Sequence, residues 1–312
     1  MITRRAAVAL LFGAASAGVA VAGRTQTLAA IRLATVPTDG ASAPYYAKDM
    51  GFFAKAGLDV DIASMPGAGP IAAAMTGGAI DIGFSPVDVL AAIHERGIPL
   101  AVITPASEYV SPAMLRSVAL VVAANSPIKS AKDLSGKVVA SNALHSLGEE
   151  AAKAWIDHNG GDSTSIKWVE FPFPAMGAAL DAGRVDAIFP VEPFLTGALK
   201  NGRVLGYGYD SIAKHFVTGT WFATQQWAKD HADLVGRFRA AMHETAVWAN
   251  ANPSLSGAIL AKYLKMDPAV VATMVRAHYA EQINPALMQP LLDTAAKYNG
   301  FASFPAQELL LH

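Results

Sequence analysis

The stretch IRLATVPTDGASAPYYAKDMGFFAKAGLDVDI, residues 31–62, decides the fold that the sequence predicts. Its first six residues are aliphatic or β-branched at most positions and indicate a strand. Residues 45–55 have the apolar spacing of a helix, and residues 58–62 alternate apolar with polar side chains, as a half-buried strand does. A strand, a helix and a second strand in this order predict a βαβ unit within a parallel sheet.

The same alternation continues outward from this stretch. The first run is completed by predicted helices at residues 71–75 and 87–95 and predicted strands at residues 79–84 and 100–104. A second run has predicted strands at residues 117–122, 137–141, 166–171, 185–189 and 204–207, with helices at residues 148–159 and 176–182. Each run predicts a mostly parallel sheet that is flanked by helices, so the fold class is α/β with two lobes.

The last part of the chain follows a different pattern, because strands disappear from about residue 227 onward. The predicted helices lie at residues 228–250, 255–263, 268–278 and 285–298. A helical part of this length is too long to cap a single element, and we expect it to wrap the first lobe.

Composition excludes several classes of protein. The 312 residues include 24 Lys and Arg and 25 Asp and Glu, and a formal net charge of −1 argues against a protein that neutralises nucleic-acid phosphates. The chain has no Cys, which excludes disulfides, Cys-ligated zinc, a thiol nucleophile and a lipid-modified cysteine anchor. Hydrophobic residues make up 53%, enough apolar surface for the cores of two domains.

The N-terminal residues 1–22 are predicted to be an export signal. Arg4 and Arg5 supply a positive start, and a run of small and apolar residues follows and ends in Ala20-Val21-Ala22, a small-residue cleavage pattern. Cleavage near Ala22 would release the protein into a periplasm. An uncleaved anchor helix is the alternative, and the choice between the general and the twin-arginine export route stays open.

The turns that follow strands predict a ligand cleft. Proline stands close to the expected helix start at Pro44, Pro70, Pro86 and Pro193, so helices begin where strands end. Ligands of open parallel sheets bind at that edge, where helix N-termini present free N–H groups. The expected rims carry acids, namely Asp39, Asp88, Glu149 and Glu192, but no Lys or Arg; Arg116 near the crossover is the nearest cation. These charges disfavour a multiply charged anion and favour a zwitterion or an amino-bearing ring.

Several motifs together resemble a known family. Residues 43–48 (APYYAK), 51–53 (GFF), 57–60 (GLDV), 78–83 (GAIDIG), 128–137 (IKSAKDLSGK), 182–187 (AGRVDA) and 192–194 (EPF) occur in its order and spacing across almost the whole chain after residue 30. The chain thereby resembles the solute-binding proteins of ABC importers for nitrate, aliphatic sulfonates, taurine and thiamine-pyrimidine precursors. The resemblance implies a two-lobed periplasmic-binding fold of the second type, with residues 31–107 and 211–312 as lobe one and residues 108–210 as lobe two.

The resemblance also implies where the ligand binds. The family's pocket loops correspond here to residues 38–42, 67–69, 85–86, 142–146 and 192–193, and rings at strand ends and helix starts add aromatic candidates. The expected ligand-binding residues are therefore Asp39, Ser42, Tyr45, Gly67, Gly69, Ser85, Asn142, His145, Ser146, Phe173 and Glu192. Two alternatives stay open: core packing accounts equally well for each ring, and Glu192 is favourable at a helix start whether or not it touches ligand.

The sequence leaves two classes of function. In the first, the protein is a monomer that captures a small solute and delivers it to the transmembrane subunits of an ABC permease, without cofactor, metal or nucleic acid. In the second, it is an enzyme on the same two-lobed fold that acts on a small ring compound. The export signal and the absence of Cys favour the binding protein.

Overall fold

The computed structural model describes residues 28–114 and 116–311, so the predicted export signal at residues 1–22 lies outside the described residues. Its strands are β1 Ala29–Thr35, β2 Leu58–Ser64, β3 Ile82–Pro86, β4 Leu100–Val110, β5 Leu120–Ala123, β6 Val138–Ser141, β7 Lys167–Glu170, β8 Ala187–Ile188, β9 Gly202–Gly206 and β10 His215–Thr224. Its helices are α1 Ala43–Asp49, α2 Phe52–Lys55, α3 Ala68–Thr76, α4 Val87–Glu95, α5 Leu147–His158, α6 Phe173–Asp181, α7 Phe194–Ala198, α8 Gln225–Asp230, α9 Ala232–Ala251, α10 Pro253–Leu264, α11 Pro268–Thr273 and α12 Pro285–Asn299.

The strands form two five-stranded sheets of the same plan. Sheet one has the order β2-β1-β3-β10-β4, and sheet two has the order β7-β6-β8-β5-β9. In sheet one, β1 pairs in parallel with β2 and β3, while β10 is antiparallel to both β3 and β4. In sheet two, β6 pairs in parallel with β7 and β8, while β5 is antiparallel to β8 and β9. In each sheet four strands therefore run in one direction and one inserted strand runs against them.

Helices cover both sheets, as the alternation of elements predicts. In sheet one, α1 and α2 pack against α9, whereas α4 packs against α12 and β10. In sheet two, the buried side chains of α6 and α7 pack on strands β5, β6 and β8, with Met176, Ile188 and Leu195 in one apolar cluster. The predicted α/β fold with two sheets flanked by helices and a helical C-terminal part is confirmed.

Two details of the sequence prediction are wrong. The strand β10 was not expected, although it inserts between β3 and β4 and completes sheet one. The helix predicted at residues 268–278 ends at Thr273, and the chain then runs extended so that the N–H of Glu108 donates to the carbonyl of His278 over 3.0 Å. The backbone pairing of this segment beside β4 outweighs its helical spacing. The prediction missed this pairing because a short window of sequence contains no information about the distant strand β4.

Two crossovers connect the sheets, between β4 and β5 and between β9 and β10. They lie side by side, since the N–H of Ser111 donates to the carbonyl of Lys214 over 2.8 Å and the Tyr109 hydroxyl donates to Asp210 over 2.7 Å. β4 continues to Val110 and β10 begins at His215. The assignment of residues 31–107 and 211–312 to one lobe and residues 108–210 to the other stays a prediction.

Within the described ranges, every helix is too short or too polar to cross a membrane.

Candidate functional site

A cavity of about 570 Å³ lies between the two sheets. The loop after β1, the start of α3 and the strands β4 and β10 line it from sheet one, and the turn between β6 and α5 together with the turn after β8 lines it from sheet two. Its volume falls in the range of about 300–1,000 Å³ that is usual for small-molecule sites. Its polar lining side chains are Thr38, Asp39, Thr76, Arg96, Ser107, Ser117, Asn142, His145, Ser146, Glu192, Tyr209 and Thr218.

Asp39 lines the cavity, but protein donors already occupy its carboxylate. Arg276 donates to both oxygens over 2.9 Å, and the N–H of Ala277 donates to one of them over 2.7 Å. The hydroxyls of Tyr46 and Tyr279 donate to the other oxygen over 3.2 and 3.1 Å. Burial works against the Arg276 charge, and the hydrogen bonds and charge of Asp39 outweigh it, so the pKa of Arg276 lies above its usual value. The pair fixes the loop after β1 to the segment after α11 and contributes no net charge to the cavity.

Glu192 lines the same end of the cavity and lies two residues before α7. Its carboxylate accepts from the Thr196 hydroxyl over 2.8 Å and from the Thr196 N–H over 3.1 Å. The side chain is buried, and this burial raises the pKa of Glu192 in spite of the two hydrogen bonds. Glu192 therefore stabilises the first turn of a helix and also presents its carboxyl to the cavity, so the structure keeps both alternatives that the sequence left open.

The turn between β6 and α5 closes the cavity from sheet two. His145 has a φ of 53°, in the left-handed region that costs a non-glycine residue about 1 kcal/mol or more. Its N–H donates to Glu149 over 2.8 Å, and Glu149 also pairs with Lys153, so a buried carboxylate holds this conformation. Asn142 lines the cavity, and its amide makes no side-chain hydrogen bond within residues 28–114 and 116–311. That amide is available to a ligand.

Gly148 permits the close approach of α5 to the end of β6. A Cβ atom at this position would stand 2.8 Å from the Oγ of Ser141, closer than real Cβ contacts allow. Since Gly148 lines the cavity, this close packing places the start of α5, with its free N–H groups, at the cavity wall.

Two buried acids lie behind that wall. Both oxygens of Asp88 on α4, and one oxygen of Glu150 on α5, have no hydrogen-bond partner within the described residues. Burial raises the pKa of Asp88 to about 7. Burial, and then the charge of Asp88, raise the pKa of Glu150 well above its usual range, while Asn299 of α12 donates to its other oxygen over 2.6 Å. The two acids lie close enough for their charges to interact, one on a helix of sheet one and the other on a helix of sheet two.

The structure brings together most of the residues predicted to bind ligand. Those that line the cavity are Asp39, Gly67, Gly69, Asn142, His145, Ser146, Phe173 and Glu192. Phe173 does so while its ring stacks on Phe194 with the centroids 5.9 Å apart.

Three predicted residues do not line the cavity. The Ser42 hydroxyl donates to the carbonyl of Thr38 over 2.7 Å, and the Tyr45 ring stacks on Tyr263 at 4.4 Å. Ser85 is fully buried, and its carbonyl accepts from the Thr220 hydroxyl of β10. In each case the residue is buried and its side chain packs within the protein.

The sequence prediction also missed some cavity residues, and it named the wrong basic residue as the cation nearest the cleft. Arg116 is exposed and does not line the cavity, whereas Arg96 lines it at the end of α4. One face of α4 and the residue after it form part of the cavity wall, with Val89, Ala92, Ile93 and Arg96. Their helical spacing can be recognised in the sequence and could have predicted this part of the wall. No sequence signal joins Arg276 to Asp39, because 237 residues separate them.

Comparison with solved structures defines the class of fold. The periplasmic aliphatic sulphonate binding protein SsuA from Escherichia coli aligns with a TM-score of 0.74 and 21% identity, over 91% of this chain and 97% of that chain. The periplasmic nitrate-binding protein NrtA from Synechocystis PCC 6803 aligns with a TM-score of 0.69 and 13% identity, over 88% and 86%. The desulfurization enzyme DSZB aligns with a TM-score of 0.65 and 14% identity, over 90% and 96%.

Two α/β lobes around a cleft, with these structural neighbours, define the periplasmic-binding-protein fold. The chain belongs to the NMT1/THI5-like family, whose model matches residues 41–256. A search of curated proteins found no significant match. The family resemblance read from the sequence motifs is confirmed, as is the type of fold that it implied.

Proposed function

We propose that the protein is the solute-binding component of an ABC importer, which captures a small organic solute between its lobes and delivers it to the transmembrane subunits of a permease. The observation that carries this proposal is the cavity of about 570 Å³ between two sheets that the chain joins through two adjacent crossovers. Such a connection lets two lobes close on a solute, because a few crossover residues absorb the backbone rotation.

The structural neighbours support the location and the binding function. Two of them are named as periplasmic binding proteins, one for aliphatic sulphonates and one for nitrate. We extend this to a periplasmic, monomeric protein whose residues 1–22 direct export and are removed near Ala22. The eight predicted residues that line the cavity are the proposed ligand contacts.

The charges of the cleft favour an amino-bearing solute over a sulfonate- or nitrate-like anion. The Asp39 charge is balanced by Arg276, which leaves the Glu192 carboxyl as the unbalanced acid at this end. A monoanion would instead depend on free N–H groups at the start of α5.

An enzyme acting on a small ring compound is the second candidate, supported by the structural likeness to the desulfurization enzyme DSZB. Mass spectrometry of a bound ligand after prolonged incubation separates the two. Recovery of unchanged ligand is expected, and a product that accumulates in proportion to protein would favour the enzyme.

The binding function is tested by a thermal-shift screen of amines, amino acids, aminopyrimidines, sulfonates and nitrate. A ligand that binds the folded protein raises the melting temperature by mass action. Gly69→Phe should remove the shift, since Gly69 lines the cavity with open space around its Cβ position. Gly197→Phe is the matched control, because Gly197 has the same open space on α7 and does not line the cavity. The absence of any shift, or an equal loss in both variants, would contradict the proposal.

A further inference from the structure

The cavity continues beyond the cleft into lobe one, between helices α3 and α4. We call this part the α3–α4 arm; it is lined by Ala72 and Thr76 of α3, Ala92 and Ile93 of α4, and Ile98 and Leu100 before and in β4. Both helices lie on the same face of sheet one, because the crossovers β2-α3-β3 and β3-α4-β4 advance in the same direction along the strand order and share one hand. The arm is the space between them, above β3.

The arm makes the cavity long. Ser107 and Leu100 both line the cavity and both belong to β4, and their pairing partners on β10, Gly219 and Thr224, are five residues apart, about 17 Å of strand. Ser107 lies towards the carboxyl end of β4, at the cleft, and Leu100 begins the strand at the opposite edge of the sheet. A compact solute held in the cleft would leave this length unfilled.

The two ends of the cavity differ in chemistry. The arm is lined mainly by alanine, isoleucine and leucine side chains, and small alanines on both helices keep it open. None of the six residues that define the arm is charged, and the nearby Arg96 is exposed just after α4. The cleft end carries the Asn142 amide, the paired hydroxyls of Ser107 and Thr218, and the Glu192 carboxyl.

We propose that the solute is an amphiphilic amine, whose amino group lies at Glu192 and whose apolar chain runs along the cavity from the cleft into the α3–α4 arm. This inference rests on the proposed binding function and specifies the solute class. The apolar chain gains affinity by leaving water, and the amine satisfies the carboxyl that Arg276 does not balance.

The test uses unbranched primary alkylamines of two to twelve carbons as probes, measured by titration calorimetry. Affinity for the wild-type protein should rise about fourfold for each added methylene, the value that follows from about 0.8 kcal/mol per buried methylene, until the arm is filled. Ala92→Leu and Ala72→Leu, which narrow the arm from its two sides, should stop this rise at shorter chains. Ala258→Leu, on an exposed face of α10, is the control and should follow the wild type.

A fourth variant separates the contribution of the amino group to the affinity from that of the apolar chain. Glu192→Gln should lower the affinity for every amine by the same factor, about tenfold or more, and leave the gain per methylene unchanged.

Three results would overturn the inference: no binding at any chain length, affinity that does not depend on chain length, or leucine variants that follow the wild type. If a different solute from the thermal-shift screen binds Ala92→Leu as tightly as it binds the wild type, the proposed role of the arm is wrong, but the binding function is still supported. Failure of the whole screen would contradict the binding function itself.

Discussion

At the scale of single residues, acids in the cleft and behind its wall have three different environments. Asp39 is a structural anchor that two arginine nitrogens, one backbone N–H and two tyrosine hydroxyls satisfy. Glu192 combines a helix start with exposure to the cavity, and Asp88 is buried with neither oxygen partnered within the described residues. A carboxyl group thus stabilises a loop, lines the cavity or has a raised pKa in a buried site, according to the groups that surround it.

Replacing Asp39 tests its role as an anchor. Asp39→Asn leaves the Arg276 charge buried without its partner, and losing one member of a buried ion pair costs about 3–5 kcal/mol. We expect a decrease of about that size in the free energy of unfolding, measured by urea denaturation. The control is Asp61→Asn at an exposed position of β2, which should change stability little. Equal stability of the two variants would show that the Arg276 pair is not structural.

Asp88 predicts a pH dependence of stability. Its pKa rises from an ordinary value near 3.8 to about 7 in the folded protein, so between these pH values the folded state keeps a proton that the unfolded chain releases. The free energy of unfolding therefore falls as the pH rises from 5 to 8, by about 2.5 kcal/mol for this group.

The variant Asp88→Asn removes this titration. Denaturation at pH 5 and pH 8 should show a smaller difference in the free energy of unfolding for Asp88→Asn than for the wild type. Asp61→Asn should keep the full difference. A wild-type protein that is more stable at pH 8 than at pH 5 would contradict the prediction.

Glu192→Gln distinguishes ligand contact from helix capping. Loss of a charge-assisted hydrogen bond, worth about 1.5–3 kcal/mol, should lower the affinity for the solute roughly ten- to a hundredfold. The amide oxygen still accepts from Thr196, so the free energy of unfolding should fall by at most about 1 kcal/mol. Glu170→Gln, exposed on β7, is the control. Wild-type affinity with slightly reduced stability would assign Glu192 to helix capping alone.

At the scale of elements, α12 connects the two sheets. It packs on α4 and β10 on one side and on α5 on the other. Near its end the Tyr298 hydroxyl donates to Asp157 over 2.9 Å, and Asn299 contacts both Glu150 and His145. The helix ends where Gly300 takes a φ of 76°, which glycine adopts without strain. This end of α12 helps to hold the arrangement in which the cavity is closed from sheet two.

Weakening that end should separate the lobes. Tyr298→Phe combined with Asn299→Ala removes hydrogen bonds to α5 that are each worth about 1 kcal/mol, and it should lower solute affinity about tenfold by reducing the population of the closed form. Titration calorimetry and solution scattering of the ligand-free protein measure the two effects. Ala286→Ser in the exposed first turn of α12 is the control. Unchanged affinity in the double variant would show that α12 does not stabilise the closed form.

At the scale of the whole molecule, the two crossovers determine how the lobes move. They lie next to each other through the bond between Ser111 and Lys214, so rotation about this pair would open the cavity along its far side. A solute that contacts both sheets favours the closed form, because its contacts with one sheet are lost on opening.

Solution scattering should therefore show a smaller radius of gyration at saturating solute. The Gly69→Phe protein, given the same solute concentration, should keep the ligand-free value. A wild-type radius of gyration that does not change when calorimetry shows full occupancy would contradict closure.

The sequence by itself determined the fold class and much of the cleft. Helix α4 begins at Val87 and ends at Glu95, where the apolar spacing predicts, and Asn142, Ser146 and Glu192 reach the cavity because they follow strands of a sheet whose carboxyl ends meet at one edge. Periodicity and turn residues are local properties, so a short window is enough to read them.

Only the tertiary structure decided which of those loop residues face the cavity and which distant residues complete it. It turned Ser42, Tyr45 and Ser85 into the protein, brought Arg276 to Asp39, and opened the arm between α3 and α4. Partners that are hundreds of residues apart, and the orientation of a side chain within a correctly predicted loop, depend on how the sheets and helices pack. That packing sums many weak contacts across the whole chain, and no single stretch of sequence contains it.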